Sequence, residues 1–352
     1  MTVDHRIAVI PGDGIGTEVV PAAQQALEVL AERGGFSFGF DHVDWSCQRY
    51  LQTGRMMPED GLDQISGHDA ILLGAVGWPG VPDHVSLWGL LIPIRRQFRQ
   101  YVNLRPIKVM AGLPGPLRSS EGVDFVVVRE NVEGEYSEIG GRLNRGLPDE
   151  LAVQEAVFTR PGVTRIVDYA FELAAERGGS LTSATKSNGI VHTMPFWDEI
   201  VRERAANHPG VEWRQEHIDA LVAKLVLRPG DYDVIVASNL FGDILSDLAA
   251  AIAGSIGIAP AANLNPERTF PSMFEPVHGS APDIAGQGIA NPLGALWSAS
   301  MMLDHLGRPE AARDLMVGIE RTLESGSIRT PDLGGNATTQ ELTDAVLAAL
   351  PA

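Results

Sequence analysis

Apolar and polar positions divide the chain into short apolar runs and longer amphipathic stretches. Residues 232–237, Tyr-Asp-Val-Ile-Val-Ala, form a compact run rich in valine and isoleucine, the pattern of a buried strand. Ser238 and Asn239 then offer N-cap oxygens, and an Ala/Leu/Ile-rich pattern at helical spacing continues to about residue 253. Runs at 6–10, 36–43, 69–73 and 124–129 predict further strands, 152–159 is extended, and 211–218 alternates like a strand. Helical spacing marks 17–33, 89–100, 161–177, 194–207, 292–306, 311–325 and 339–350. Strands that alternate with helices in this way predict an α/β fold built on a mostly parallel sheet.

The first chemistry lies on the helix after residue 237. Asp243 and Asp247 are four residues apart, so their carboxylates stand one above the other on one face. Two like charges so placed destabilise the helix unless a positive group lies between them, and a hard divalent cation with oxygen ligands supplies one. The plain alternative is a solvated helix face. Placement at the end of a buried strand favours the cation, because open α/β sheets bind their ligands there. The neighbouring Ile244, Leu245 and Leu248 also mark the helix as packed.

Other segments supply candidate partners. Pro11-Gly-Asp-Gly-Ile-Gly16 follows a strand and opens a helix, but it is neither G-x-G-x-x-G nor a Walker sequence, and by itself it says little about phosphate. The helix over 89–100 carries Arg95, Arg96 and Arg99, and Pro106 forces Arg105 into an extended conformation. Arg129 ends one predicted strand, and Lys186 ends another among Thr185, Ser187 and Asn188. Asp219 is a third candidate acid. His278 sits in a loop punctuated by glycine and proline, where close backbone approach to a ligand is expected.

Composition narrows the class. At 352 residues the chain is long enough for two domains. A net charge of -18, from 27 Lys+Arg against 45 Asp+Glu, argues against nucleic acid or an anionic membrane surface as the main partner. No apolar run is long enough to span a bilayer, and no signal-peptide pattern precedes the first strand. The single cysteine, Cys47, precludes an intrachain disulfide and is read as structural. These features lead to the expectation of a cytoplasmic protein.

Taken together, the motifs resemble those of the metal-dependent, decarboxylating 2-hydroxyacid dehydrogenases, the family of isocitrate, isopropylmalate and homoisocitrate dehydrogenases. The resemblance rests on Ile10-Pro-Gly-Asp-Gly-Ile-Gly16, Asn103-Leu-Arg-Pro106, Val128-Arg-Glu-Asn131 with Glu133-Gly134, and Lys186-Ser-Asn188. It continues through Asn239-Leu-Phe-Gly-Asp-Ile-Leu-Ser-Asp247 and Glu275-Pro-Val-His-Gly-Ser-Ala-Pro-Asp-Ile284. Ser86-Leu-Trp-Gly89, Glu133-Gly-Glu-Tyr-Ser137, Gly140-Gly-Arg142, Met194-Pro-Phe-Trp197 and the stretch 263–271 are similar to the branch that acts on tartrate and D-malate.

The resemblance implies a two-domain, isopropylmalate-dehydrogenase-like α/β fold with parallel and mixed sheets flanked by helices, distinct from a standard Rossmann fold. Residues 1–100 and 254–352 would form the large cofactor-binding domain, and 101–253 a small domain for dimerisation and the metal site. The implied activity is NAD-dependent oxidation of D-malate, with decarboxylation to pyruvate and CO2, or of tartrate. Isopropylmalate or homoisocitrate oxidation, and a non-catalytic regulatory subunit, are the alternatives. The implied catalytic residues are Tyr136 and Lys186, and Arg95, Arg105, Arg129, Trp88 and Leu91 would bind substrate. His278, Gly279, Ala281, Asp283, Ile284 and Asn291 would hold NAD, and Asp219, Asp243 and Asp247 would hold Mn2+ or Mg2+, with K+ a further candidate ion. A homodimer is implied, each site borrowing Lys186 and Asp219 across the interface. Asp283 suits a free ribose 2′-hydroxyl and would repel a 2′-phosphate, so NAD is favoured over NADP. Where isopropylmalate enzymes carry a glutamate, this chain has Trp88, whose bulk would fill the space of a longer C3 substituent. Val132 replaces a common threonine and removes one hydroxyl near Arg129.

Overall fold

The computed structural model describes residues 3–113, 115–117 and 122–352. Its strands, numbered along the chain, are β1 His5–Gly12, β2 Phe38–His42, β3 Ala70–Ala75, β4 Val102–Lys108, β5 Asp124–Glu130, β6 Gly140–Leu143, β7 Leu151–Gln154, β8 Ser180–Thr185, β9 Glu212–His217, β10 Val234–Ala237, β11 Pro260–Leu264 and β12 Ser272–Pro276. The chain separates into two compact units, one of Met1–Gln100, Lys108–Arg118 and Ala250–Ala352, the other of Tyr101–Ile107 and Ser119–Ala249.

In the first unit the strand order is β2-β1-β3-β12-β11. β1 pairs in parallel with β2 and β3, β3 in parallel with β12, and only β11 runs antiparallel to its neighbour β12. Ile7, Ala8, Val9 and Ile10 of β1 are all fully buried, as a parallel strand covered on both faces must be. The helix Gly16–Gly34 follows and is stopped by Gly35 in the left-handed conformation. The helix Leu293–His305 is buried along almost its whole length.

In the second unit the order is β4-β5-β10-β8-β9, with β5, β10, β8 and β9 in parallel register. Val234, Ile235, Val236 and Ala237 of β10 are fully buried. Burial of each valine or isoleucine side chain contributes roughly 1.5–3 kcal/mol, so the strand fixes where the next helix begins. That helix, Asn239–Ala253, starts at the carboxyl end of β10. β6 and β7 form a separate antiparallel hairpin whose residues are all exposed.

The result is a mixed, mostly parallel α/β architecture flanked by helices. Its strand order is not that of a standard Rossmann fold. Several local features differ from the pattern-based reading, among them the helix Ile218–Leu227, which begins where only a strand over 211–218 was read. The helix expected over 89–100 is built in pieces, Asp83–Ser86, a π-helical turn Leu87–Leu91, and Ile92–Gln97. Pro93 has no N–H to offer the carbonyl of Gly89, and the Ile92 N–H bonds back to the Leu87 carbonyl, five residues earlier. β11 and β12 were not anticipated, and neither was the helix Cys47–Thr53, which is capped by the Ser46 side chain accepting from the Arg49 N–H at 3.1 Å. Among the described residues no helix is long and apolar enough to cross a membrane.

Candidate active site

The helix Asn239–Ala253 carries Asp243 and Asp247 against two buried guanidiniums. Arg129, at the end of β5, has only 3% of its side chain exposed and forms an ion pair with Asp243 Oδ1. Its Nε and Nη2 donate to Asn239 Oδ1 at 3.0 and 2.7 Å. Arg105, on β4, lies 3.5 Å from both Asp243 and Asp247 and donates to Ser246 Oγ and, at 2.7 Å, to Asn103 Oδ1. Cations so buried require compensation, and the two aspartates supply it. The Tyr136 hydroxyl donates to Asp243 Oδ2 at 3.0 Å, and its ring faces the Arg129 guanidinium at 5.8 Å. Burial, reinforced by the Asp243 carboxylate, holds the Tyr136 phenol above its usual range, so it keeps its proton near neutrality. The Asp247 carboxyl is also raised, first by the protein packed behind it. Arg105 opposes that shift and the charge of Asp243 adds to it.

Lys186 and Asp219 form a second cluster. Lys186 follows the last residue of β8, Asp219 lies in the first turn of the helix Ile218–Leu227, and Lys186 Nζ donates to Asp219 Oδ1 at 2.7 Å. The lysine holds the Asp219 carboxyl below the usual carboxylate range. Among the described residues the side-chain partner of each is the other, and neither is paired with Asp243 or Asp247. Among the described residues no three His, Cys, Asp or Glu side chains come together as a metal-binding group. The all-oxygen pair Asp243 and Asp247, with Asp247 open to solvent on its outer side, fits two ligands of a hard divalent cation.

In the first unit, the π-turn Leu87–Leu91 presents Trp88 and Leu91, both half-buried, and the Arg96 guanidinium lies 5.1 Å from the Trp88 ring centre. Arg95, one turn further on, is buried and donates to Glu275 Oε1 at 2.9 Å. Glu275 also accepts from Asn263 Nδ2 at 2.7 Å, so Arg95 is held by a residue at the end of β12.

The segment after β12 contains the six residues expected to hold a dinucleotide. His278 is buried, its Nδ1 lies 2.9 Å from the Gly279 carbonyl, and its Nε2 is buried with no partner. A buried nitrogen left unsatisfied fits a ligand that supplies the missing hydrogen bond. Burial pushes the His278 imidazole below its usual range, so the ring is neutral. Ala281 takes a positive φ of 38°, a strained conformation for a residue with a side chain. Asp283 is exposed, and the Ile284 N–H closes a turn on the Ala281 carbonyl at 3.1 Å. Asn291 has a structural task, donating to Asp332 at 2.9 Å and accepting from the Leu293 N–H at 3.0 Å.

Beside this segment a cavity of about 490 Å3 is lined by Gly12, Asp13, Thr17, Gln48, Trp78 and Gly286 among others. That is the size of a small-ligand site. Gln48, Leu51 and Trp78 had no sequence signal of their own, since they come from a helix and a loop distant along the chain. The glycine-rich turn packs here as well. Gly14 adopts φ +56°, and a Cβ on it would fall 2.0 Å from the Ser280 carbonyl oxygen, which accepts from the Ile15 N–H at 2.9 Å. Its glycine therefore serves close backbone packing.

Residues 6–346 match the model of the isocitrate/isopropylmalate dehydrogenase family. The chain is 56% identical to a probable tartrate dehydrogenase/decarboxylase of Bacillus subtilis, over 98% of each chain. It is 55% identical to the decarboxylating D-malate dehydrogenase of Escherichia coli, over 97% of each. Among solved structures, an isocitrate dehydrogenase from Methylococcus capsulatus superposes with a TM-score of 0.87 at 34% identity, covering 98% of this chain and 99% of that one. On sequence and on structure alike, this chain belongs to the isocitrate/isopropylmalate dehydrogenase family.

Proposed function

We propose that the protein is an NAD-dependent, divalent-metal-dependent dehydrogenase that oxidises a four-carbon 2-hydroxy dicarboxylate. Its substrates are D-malate, decarboxylated to pyruvate and CO2, and tartrate. The observation that carries this reading is the cluster of Asp243 and Asp247 on the helix Asn239–Ala253 with Arg105 of β4, Arg129 of β5 and Tyr136 of the loop after β5. The substrate class is supported by relatives 53–56% identical that are named tartrate dehydrogenase/decarboxylase or D-malate dehydrogenase.

The residues divide the work as follows. Arg95, Arg105 and Arg129 are the residues assigned to the substrate carboxylates, because a guanidinium pairs with a carboxylate through two parallel hydrogen bonds. Trp88 and Leu91 border the C3 end of the substrate. Lys186 takes the hydroxyl proton as the C2 hydride leaves, and Tyr136, which keeps its proton, delivers it to C3 of the enolate once CO2 has departed. Asp243, Asp247 and Asp219 would hold Mn2+ or Mg2+, and K+ is a further candidate ion. When bound, the metal supplies charge stabilisation at the developing oxygen anions and NAD accepts the hydride. The unit that contains residues 272–291 would bind NAD through His278, Gly279, Ala281, Asp283, Ile284 and Asn291. The balance is D-malate plus NAD+ to pyruvate, CO2 and NADH.

Lys186 and Asp219 are joined to each other and to no member of the Asp243 cluster, which supports their service to the active site of a second copy in a homodimer. The β6–β7 hairpin supports the same reading. Ile139, Leu143, Leu147, Leu151 and Val153 in and around it are exposed, and a lone two-stranded hairpin is barely stable in water. A cytoplasmic location accords with the single cysteine.

NADH formation followed at 340 nm across D-malate, the tartrates, 3-isopropylmalate, homoisocitrate and isocitrate tests the proposal. The highest kcat/KM is expected for D-malate or a tartrate, abolished by excess EDTA and restored by Mn2+ or Mg2+. A higher kcat/KM for 3-isopropylmalate, or full activity in EDTA, would overturn the substrate or metal assignment respectively.

A further inference from the structure

The end of β5 and the loop after it place three glutamates and Tyr136 within seven positions, and each carboxylate is bound locally or to a different helix. Glu130 Oε1 closes its own turn by accepting from the N–H groups of Val132 and Glu133 at 2.8 and 3.0 Å. Glu133 accepts from Thr159 N–H and Oγ1 at 2.9 and 2.8 Å, and Thr159 in turn caps the helix Arg160–Glu176. Glu135 reaches the helix that carries the aspartates. Its Oε1 accepts from Ser238 Oγ at 2.7 Å and its Oε2 from the Leu240 N–H at 3.0 Å. The next residue, Tyr136, donates to Asp243 one turn further along that same helix.

We infer that Glu135 is a positioning residue for Tyr136, its two hydrogen bonds to the start of the helix Asn239–Ala253 setting the height of the phenol against Asp243. Two successive residues hold one helix at two points a turn apart, so the loop cannot slide along the helix without breaking a bond to Glu135. A purely structural task, capping the helix, explains less. Ser238 already presents its Oγ to the Phe241 N–H at 3.4 Å, so the helix keeps a cap of its own when Glu135 is removed. Asn239 Nδ2 also donates to the Glu133 carbonyl at 3.1 Å and keeps the loop near the helix, leaving the finer placement to Glu135. A displacement of about 1 Å at a reacting group lowers turnover by up to roughly 100-fold.

The inference rests on the proposed role of Tyr136, and a double-mutant cycle separates the two. In the wild-type background Glu135→Ala should lower kcat for D-malate roughly 10- to 100-fold. KM for NAD and the melting temperature should change little. Glu135→Gln, which keeps one acceptor oxygen, should recover part of the loss and remains informative if the alanine variant folds poorly. In the Tyr136→Phe background, where no phenol proton remains to be placed, Glu135→Ala should cost no more than about twofold. Losses that multiply across the two backgrounds would overturn the inference and assign Glu135 to structure alone. A wild-type protein that reduces NAD with none of the 2-hydroxy acids would instead overturn the functional reading, and this inference with it.

Discussion

At Gly242 a Cβ would fall 2.6 Å from both Cβ and Cγ of Arg129, a separation that forces something to move. Alanine in place of an interior helical glycine ordinarily stabilises by about 1 kcal/mol. Here overpacking, at about 1–3 kcal/mol, outweighs that gain. Gly242→Ala is therefore expected to lower the melting temperature and to raise KM for D-malate by roughly 10-fold or more through the displaced guanidinium, with KM for NAD unchanged. Gly210→Ala is the contrast, because nothing lies within 4 Å of its added Cβ. Steady-state kinetics and thermal melts of the two variants test the pair, and equal damage from both would refute the packing argument. The i, i+4 spacing of Asp243 and Asp247 was legible in the sequence, but the need for glycine beside Arg129 was not, since it arises only when helix and strand meet. Cys47 is a similar case. Its fully buried thiol is pushed up to about 12, chiefly by burial and then by its bond to Asp13, so it should resist thiol reagents at pH 8 until the protein unfolds. Stoichiometric labelling of the native protein within minutes would contradict this.

The helix Leu293–His305 ends in a histidine, where the helix dipole favours a cation by about 0.3–1 kcal/mol. Burial, and to a lesser degree the positive charge of Arg268, wins instead and brings the His305 imidazole down to about 4. A base whose folded-state value is depressed contributes its full stability above 6.5, and that contribution declines as pH falls from there towards 4. The loss should be on the order of 2 kcal/mol, discounted for partial exposure. His305→Gln should flatten the fall in melting temperature over that window relative to the wild type, and parallel curves would refute the assignment. The apolar pattern made this helix and Asn239–Ala253 readable to within a residue or so at each end. It did not reveal β11 and β12, because their fully buried positions include Asn263 and Ser272. Asn263 Nδ2 binds Glu275, and Ser272 Oγ donates no apolar signal but accepts from the Asn265 N–H at 3.0 Å. Strands held in this way by buried polar side chains leave no hydrophobic run to detect. The π-turn at Leu87–Leu91 was likewise hidden, although Pro93 was its one visible cause.

On the scale of the whole molecule, the separation of Lys186 and Asp219 from the Asp243 cluster has a direct consequence. One chain holds two half-sets of the proposed catalytic groups, and in a homodimer these would serve different sites. Lys186→Met should lower turnover by roughly two to four orders of magnitude, the range for losing a general acid–base group, with NAD binding nearly intact. Asp243→Asn should be similarly inactive through loss of a metal ligand. Co-refolding the two inactive chains forms mixed dimers in which one site takes both lesions and the other takes neither. A quarter to a half of wild-type activity is then expected, about half of the dimers being mixed and each of those holding one intact site of two, with preferential pairing the route to the upper value. Both homodimers should stay silent, and native mass spectrometry of differently tagged chains should show the active fraction to be the mixed species. Mixed dimers without activity would place Lys186 in the site of its own chain. The interface would then play no part in the chemistry, and the ion pair with Asp219 at 2.7 Å would hold the lysine within its own chain's site.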